Sequence, residues 1–229
     1  MSQLLYVHGS GYTEESFRAQ VAAFPGSDAL SLPGHPAGRA LGSVAECAAW
    51  LARYVEWKRV DRAVVAGNSL GGAIALRWAL DHPDQVAGLV LIGTGARLRV
   101  SAEIFRMLDE DWPACIDSLV DWALAPGAPD ELRQSAKSWH LLVGRDSTRT
   151  DYSVCNEFDV IDRLGELQIP VLVVVGEHDE MTPPKYSTFL HERIAGSTLE
   201  IISGAGHVVM AEKPVETNAA IATFLSALA

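Results

Sequence analysis

One segment of the chain places a reactive side chain among residues that have almost no side chain. In Ala66-Gly67-Asn68-Ser69-Leu70-Gly71-Gly72 one hydroxyl stands between glycines at a spacing of two. That pattern fits either a loose surface turn or a turn so tight that larger neighbours would clash. A serine hydroxyl is a weak nucleophile at neutral pH. It needs a base within hydrogen-bond reach and a third group that orients the base. Two later segments offer such groups: VLVVVGEHDEMTPP carries Glu177, His178, Asp179 and Glu180, and ISGAGHVVMAEKP carries His207. Together these residue types would support acyl transfer through a covalent serine intermediate. A fourth segment, Tyr6-Val7-His8-Gly9-Ser10-Gly11, ends an apolar run in small residues whose backbone can approach a ligand closely.

The elements needed to position these groups follow from the apolar pattern. Short runs at 4–7, 29–32, 63–66, 88–92, 171–175 and 199–202 are bounded by Gly, Pro or Ser and read as strands buried on both faces. Between them, 13–24, 44–57, 70–81, 184–194 and 215–227 carry apolar residues at helical spacing. Alternation of strand and helix predicts an α/β fold, a parallel sheet with helices on both faces. Ser69 then lies between a strand and a helix, which favours the tight turn. Asp179 and His207 each follow a strand, and the carboxyl ends of parallel strands are where such sheets gather reactive groups. The alternation breaks between 97 and 167, where 102–125 and 129–143 read as helices containing Trp112, Trp122 and Trp139. The expected organisation is a core of 1–96 and 168–229 with a helical cap at 97–167.

The pentapeptide Gly67-x-Ser69-x-Gly71 between strand and helix matches the nucleophile elbow, and on it the chain resembles the α/β-hydrolase family. The resemblance covers nearly the whole chain and implies a triad in the order Ser, acid, His. The family's G-x-x-D and G-x-G-H loops fall on Asp179 and His207, which are 207 − 179 = 28 residues apart, room for one helix and one strand. Glu177, Glu180 and His178 are thereby set aside. By the same resemblance the backbone N–H groups of Ser10 and Leu70 form the oxyanion hole. Gly9, Met181 and Val208, with Trp122 and Trp139 of the apolar cap, are expected to contact substrate. His8 is expected to pack beneath its loop. Leu32-Pro33-Gly34-His35 resembles another family loop, with a structural role near the site. His82, His140 and His191 have no motif context and read as surface or capping residues.

Two features depart from the family pattern. Members typically begin with two further strands, so a sheet of about six strands in the order 2-1-3-4-5-6 is expected, with an edge that a homodimer would cover. The cap resembles no single subfamily.

Bulk properties narrow the partners. At 229 residues, 48% hydrophobic and 21% charged, the chain suits one soluble domain with a substantial core. A formal charge of −11 disfavours nucleic acid and anionic membrane surfaces and leaves a small-molecule ester as the expected partner. No run approaches the roughly 20 apolar residues of a membrane span, and the first residues lack a basic leader, so a cytoplasmic protein is expected. Cys47, Cys115 and Cys155 are far apart, with no C-x-x-C pair or histidine at ligand spacing, and read as reduced and structural. Neither metal nor organic cofactor is expected.

The function these readings imply is hydrolysis of small or medium carboxylic esters. Carbon–carbon bond hydrolases of ring-cleavage products share G-N-S-x-G-G but place Trp after the catalytic His, where this chain has Val208. Cofactor-free haloperoxidase-like or perhydrolase members usually carry an aromatic residue after the HG pair, where Ser10 stands. The non-enzymatic alternative is a small-molecule binding module with an idle triad.

Overall fold

The computed structural model describes residues 3–228. Six strands, β1 (Gln3–Val7), β2 (Asp28–Leu30), β3 (Ala63–Asn68), β4 (Val86–Ile92), β5 (Val171–Gly176) and β6 (Thr198–Ile202), form one sheet in the order β2-β1-β3-β4-β5-β6. Every neighbouring pair is parallel. The apolar runs that make β3 and β5 are fully buried because helices cover both faces. Successive residues therefore feed opposite cores. On one side Val65, Leu89, Leu91 and Val173 pack against α2 (Val44–Trp57), α3 (Leu70–Asp81) and α8 (Pro184–Arg193) through Leu51, Leu76 and Leu190. On the other, Val64, Val90, Ile92 and Val174 share a core with Phe17, which leads into α1 (Arg18–Ala23), with Met210 of the short α9 (Val209–Glu212), and with Ile221 and Phe224 of α10 (Pro214–Ala227).

The edge strand β6 departs from the expected two-sided burial. Thr198 and Glu200 face solvent and Ile201 is 51% exposed, because the last strand has a neighbour on one side only.

The region between β4 and β5 is helical, as expected, but divided differently. The helix read at 102–125 is two: α4 (Ala102–Glu110) and α5 (Trp112–Ala123). Asp111 breaks them: its carboxylate caps α5 by accepting from the Ala114 N–H at 3.1 Å, and Pro113 occupies the first turn, where no N–H is needed. After α6 (Asp130–Val143), Gly144 turns the chain at φ 82° into α7 (Arg145–Glu157), a helix the apolar pattern did not reveal. Its sequence RDSTRTDYSVCNE is polar on most positions and buries Thr148, Asp151, Tyr152, Val154 and Cys155. No helix among the described residues is long and apolar enough to cross a membrane.

Candidate active site

Ser69 closes β3 and precedes the first residue of α3 with φ 55° and ψ −116°, a conformation that non-glycine residues rarely adopt. The neighbouring glycines make it possible. A methyl group on Gly67 would collide with the backbone of Gly71, and one on Gly71 would collide with the Val7 carbonyl oxygen. The turn is locked by its hydrogen bonds: the Ser69 N–H donates to the Ile92 carbonyl at 2.9 Å, and the Thr94 hydroxyl donates to the Ser69 carbonyl at 2.8 Å. Leu70 begins α3, so its N–H has no acceptor within the helix and lies at the positive end of the helix dipole.

The loops after β5 and β6 bring a carboxylate and an imidazole into contact. His207 Nδ1 lies 2.9 Å from Asp179 Oδ2 and 3.1 Å from Oδ1, and both residues are buried. A carboxylate only accepts, so Nδ1 carries a proton, and it is the Nε2 side of the ring that a neutral imidazole offers as base. Thr182 fixes the carboxylate, its N–H donating to Oδ1 at 2.8 Å and its hydroxyl to Oδ2 at 2.9 Å. The imidazole loop is tied to the serine turn and to the cap. Asn68 Nδ2 donates to the His207 carbonyl at 3.1 Å, and the His207 N–H donates to the Ala123 carbonyl of α5 at 2.7 Å. Glu212 completes the tie by accepting from the Gly206 N–H at 2.9 Å and the Ala125 N–H at 2.8 Å. Burial pushes the Glu212 carboxyl above the usual carboxylate range despite these two bonds.

A cavity of about 370 Å³ opens over Ser69 and Ser10. Its walls come from the segment after β4 (Leu98, Val100), from α4 (Ile104), from α5 (Trp122), from α7 (Tyr152, Cys155) and from the loop after Asp179 (Met181).

Comparison with known proteins shows the family. Residues 4–220 match the alpha/beta hydrolase family. The chain belongs to that family. A solved structure described as that of a thermophilic esterase superposes with a TM-score of 0.91 at 37% identity, covering 98% of this chain and 90% of that one. The pimeloyl-[acyl-carrier protein] methyl ester esterase of Neisseria meningitidis serogroup B is 27% identical over 235 residues, 90% of this chain and 86% of that protein. A 2-hydroxy-6-oxo-6-phenylhexa-2,4-dienoate hydrolase of Comamonas testosteroni is 25% identical over 183 residues, 72% of this chain and 63% of that protein.

Of the residues singled out in this α/β-hydrolase sequence, Ser10, Ser69, Trp122, Cys155, Met181 and the rival acid Glu180 line the cavity. Trp139 and Val208 lie in the buried core, Trp139 edge-on to Tyr12 at 5.5 Å between ring centroids. Gly9 is buried against the elbow, where a methyl group would stand 3.1 Å from Ser69 Cβ. The rival groups are occupied or exposed: Glu177 accepts from the Ser203 hydroxyl at 2.7 Å and the Gly204 N–H at 3.1 Å, and His178 and Glu180 face solvent. His8 packs under its loop as expected, whereas His140 is not a surface residue. It is fully buried because α6 presses it against Tyr12 and Trp112. Thr182 and Tyr152 have no motif in the sequence, and Cys155, read there as structural, stands in the cavity wall; only the Asp179-x-x-Thr182 spacing, typical of a carboxylate capping a turn, carries a local signal.

Proposed function

We propose that the chain hydrolyses small or medium carboxylic esters through an acyl-enzyme on Ser69. The observation that carries this reading is the strained Ser69 turn opening into a cavity, with Asn68 of the same turn holding the His207 loop and the buried His207 Nδ1 held by Asp179. Ser69 Oγ attacks the ester carbonyl carbon while His207 Nε2 takes its proton. The N–H groups of Ser10 and Leu70 stabilise the oxyanion, each such donor being worth about 3 kcal/mol in comparable sites. The imidazolium then protonates the leaving alkoxide. Water, deprotonated by the same nitrogen, attacks the acyl carbon, and collapse of the second tetrahedral adduct releases the acid and restores Ser69. Asp179 fixes the imidazole tautomer and stabilises its positive form without taking the proton.

The cavity volume falls near the lower end of the roughly 300–1,000 Å³ range of small-molecule sites, which supports short to medium acyl groups. Leu98, Val100, Ile104 and Met181 offer apolar walls, worth about 0.8 kcal/mol per methylene buried. Asn68, the residue shared with carbon–carbon hydrolases, has a structural task here, bridging the Ile92 and His207 carbonyls, so its presence does not call for that chemistry. A cytoplasmic location and a homodimer across a sheet edge belong to the same proposal, read from composition and from β2 and β6, the outer strands of the sheet.

Ser69→Ala tests the assignment. It should abolish p-nitrophenyl ester turnover and labelling by a fluorophosphonate; turnover near that of the unaltered protein would refute it. A panel of ester acyl lengths set beside a dienone acid separates ester from carbon–carbon cleavage.

A further inference from the structure

The loop that carries Ser10 is held from above by the cap. Asp151, on the helix α7, is 4% exposed, and its Oδ2 accepts from the Gly11 N–H at 2.8 Å and lies 2.8 Å from His35 Nε2. Gly11 turns the loop at φ 68°, where a methyl group would collide with the His140 ring of α6 and come within 3.0 Å of Thr148 Cγ2 of α7. Ser10 Oγ lies 3.4 Å from Cys155 Sγ of the same helix. Two cap helices thus close on Ser10, one donor of the proposed oxyanion hole, and on Gly11 beside it.

Hydrogen-bond accounting assigns the charges. His35 Nδ1 faces the Pro33 carbonyl at 3.3 Å and Nε2 faces the Asp151 carboxylate. Both partners are acceptors only, so both nitrogens carry protons and the ring is an imidazolium. Burial opposes that charge, but the hydrogen bond and the negative charge of Asp151, with the Pro33 and Leu32 carbonyls, raise the His35 pKa above the usual range. The His8 ring stands 4.7 Å away and is neutral: Nε2 accepts from the Leu32 N–H at 3.2 Å, Nδ1 donates to the Gly9 carbonyl at 3.0 Å, and burial pushes its pKa down to about 3. The remaining titratable neighbours, Cys47 of α2 with Cys155 and Tyr152 of α7, are pushed upward by burial and stay neutral.

We infer that Asp151 and His35 are positioning residues for the reaction, fixing the Ser10–Gly11 peptide so that the Ser10 N–H meets the developing oxyanion. The inference rests on the ester-hydrolase reading above. The pairing explains why a carboxylate is tolerated here. A lone negative charge beside a forming oxyanion would oppose the transition state, whereas the ion pair anchors the Gly11 amide with no net charge. Helix α7 therefore takes part in catalysis as well as roofing the cavity.

The test compares Asp151→Ala, Asp151→Asn and His35→Ala for kcat, KM and inhibition by a trifluoromethyl ketone, which forms a tetrahedral oxyanion on the serine. Asp151→Ala should lower kcat by roughly 30- to 100-fold, somewhat less than outright loss of a donor, with KM within about threefold, and weaken the ketone in proportion. Asp151→Asn, whose amide oxygen still accepts from Gly11, should recover most of the activity. If Asp151→Ala does not fold, His35→Ala carries the test, since it leaves Asp151 charged and uncompensated and should lower kcat and ketone affinity together. A folded Asp151→Ala or His35→Ala with kcat and ketone affinity unchanged overturns the inference, as does a loss that Asn fails to rescue. Those results arise in an active protein. Unaltered protein that neither turns over esters nor is labelled on Ser69 would instead overturn the ester-hydrolase reading and this inference with it.

Discussion

His140 sets a measurable acid limit on this fold. Its ring is fully buried between Tyr12 and Trp112, with both nitrogens lacking a hydrogen-bond partner among the described residues. Burial alone pushes its pKa from 6.5 down to about 4. The unfolded chain binds a proton near pH 6.5, while the folded chain resists until about pH 4. A base with a depressed folded pKa contributes stability above its unfolded pKa and loses it as pH falls. At pH 8 the two states are equally deprotonated and nothing is lost. At pH 5 the unfolded state is almost fully protonated and the folded state is about a tenth protonated, which costs on the order of 2 kcal/mol.

His140→Leu removes that titration while keeping an apolar side chain of similar bulk. Urea unfolding at pH 8 and pH 5 for both proteins isolates the effect, because every other group titrates in each. The unaltered protein should lose about 2 kcal/mol more than the variant between these values, or roughly 4–8 °C in Tm for a chain of this size. The variant should match or exceed the unaltered protein at pH 8, since two unsatisfied nitrogens leave the core. Equal losses in the two proteins would refute the reasoning and mean that the ring is hydrated or hydrogen-bonded in solution.

Three further perturbations follow from contacts at the site. Gly71→Ala places a methyl group against the Val7 carbonyl, both on rigid backbone, and should cost at least 3 kcal/mol; a Tm within a few degrees of the unaltered protein would contradict the close approach. Thr182→Val removes the hydroxyl bond to Asp179 Oδ2 but keeps the N–H bond to Oδ1, and should lower kcat roughly tenfold with little change in KM. Trp122→Ala enlarges the cavity and should move the preferred acyl chain in p-nitrophenyl ester assays to greater length, an unchanged optimum showing that the ring does not bound the acyl site.

What could be read from sequence and what could not divide along the range of the interactions. Ser69 was legible because a strand, small residues and a helix adjoin one another within a dozen positions, and the collisions that demand Gly67 and Gly71 involve the same turn and its neighbouring strand. Asp179 and His207 were legible as loops after strands of known order. Helix α7 was not, because its buried residues mix polar Thr148 and Asp151 with Tyr152, Val154 and Cys155 in an otherwise polar segment, too few apolar positions to mark a helical period. Its partners are equally remote: Asp151 reaches His35 across 116 residues and Gly11 across 140. His140 looked like a surface histidine for the same reason, since what buries it is Tyr12, from the loop after the first strand. The break at Asp111 did have a local sign in the Asp-Trp-Pro sequence, which an apolar pattern running through both helices concealed.

The cap does two tasks on opposite sides of the same helical turns. Trp122 faces the cavity, and the carbonyl of the next residue, Ala123, holds the His207 N–H. Tyr152 faces the cavity, and the preceding residue, Asp151, holds the Gly11 N–H. Residues that would choose the substrate and backbone ties that would align the proposed base and oxyanion donor are thus adjacent in sequence and cannot shift independently. Point changes at Trp122 or Tyr152 leave the ties in place, since these run through a neighbour's carbonyl or carboxylate. Replacement of a whole cap helix severs them. Substrate range in this fold should therefore be altered by side-chain substitution at low cost to kcat, whereas exchange of α5 or α7 lowers kcat for every ester unless the Ala123 carbonyl and the Asp151 carboxylate are kept in place.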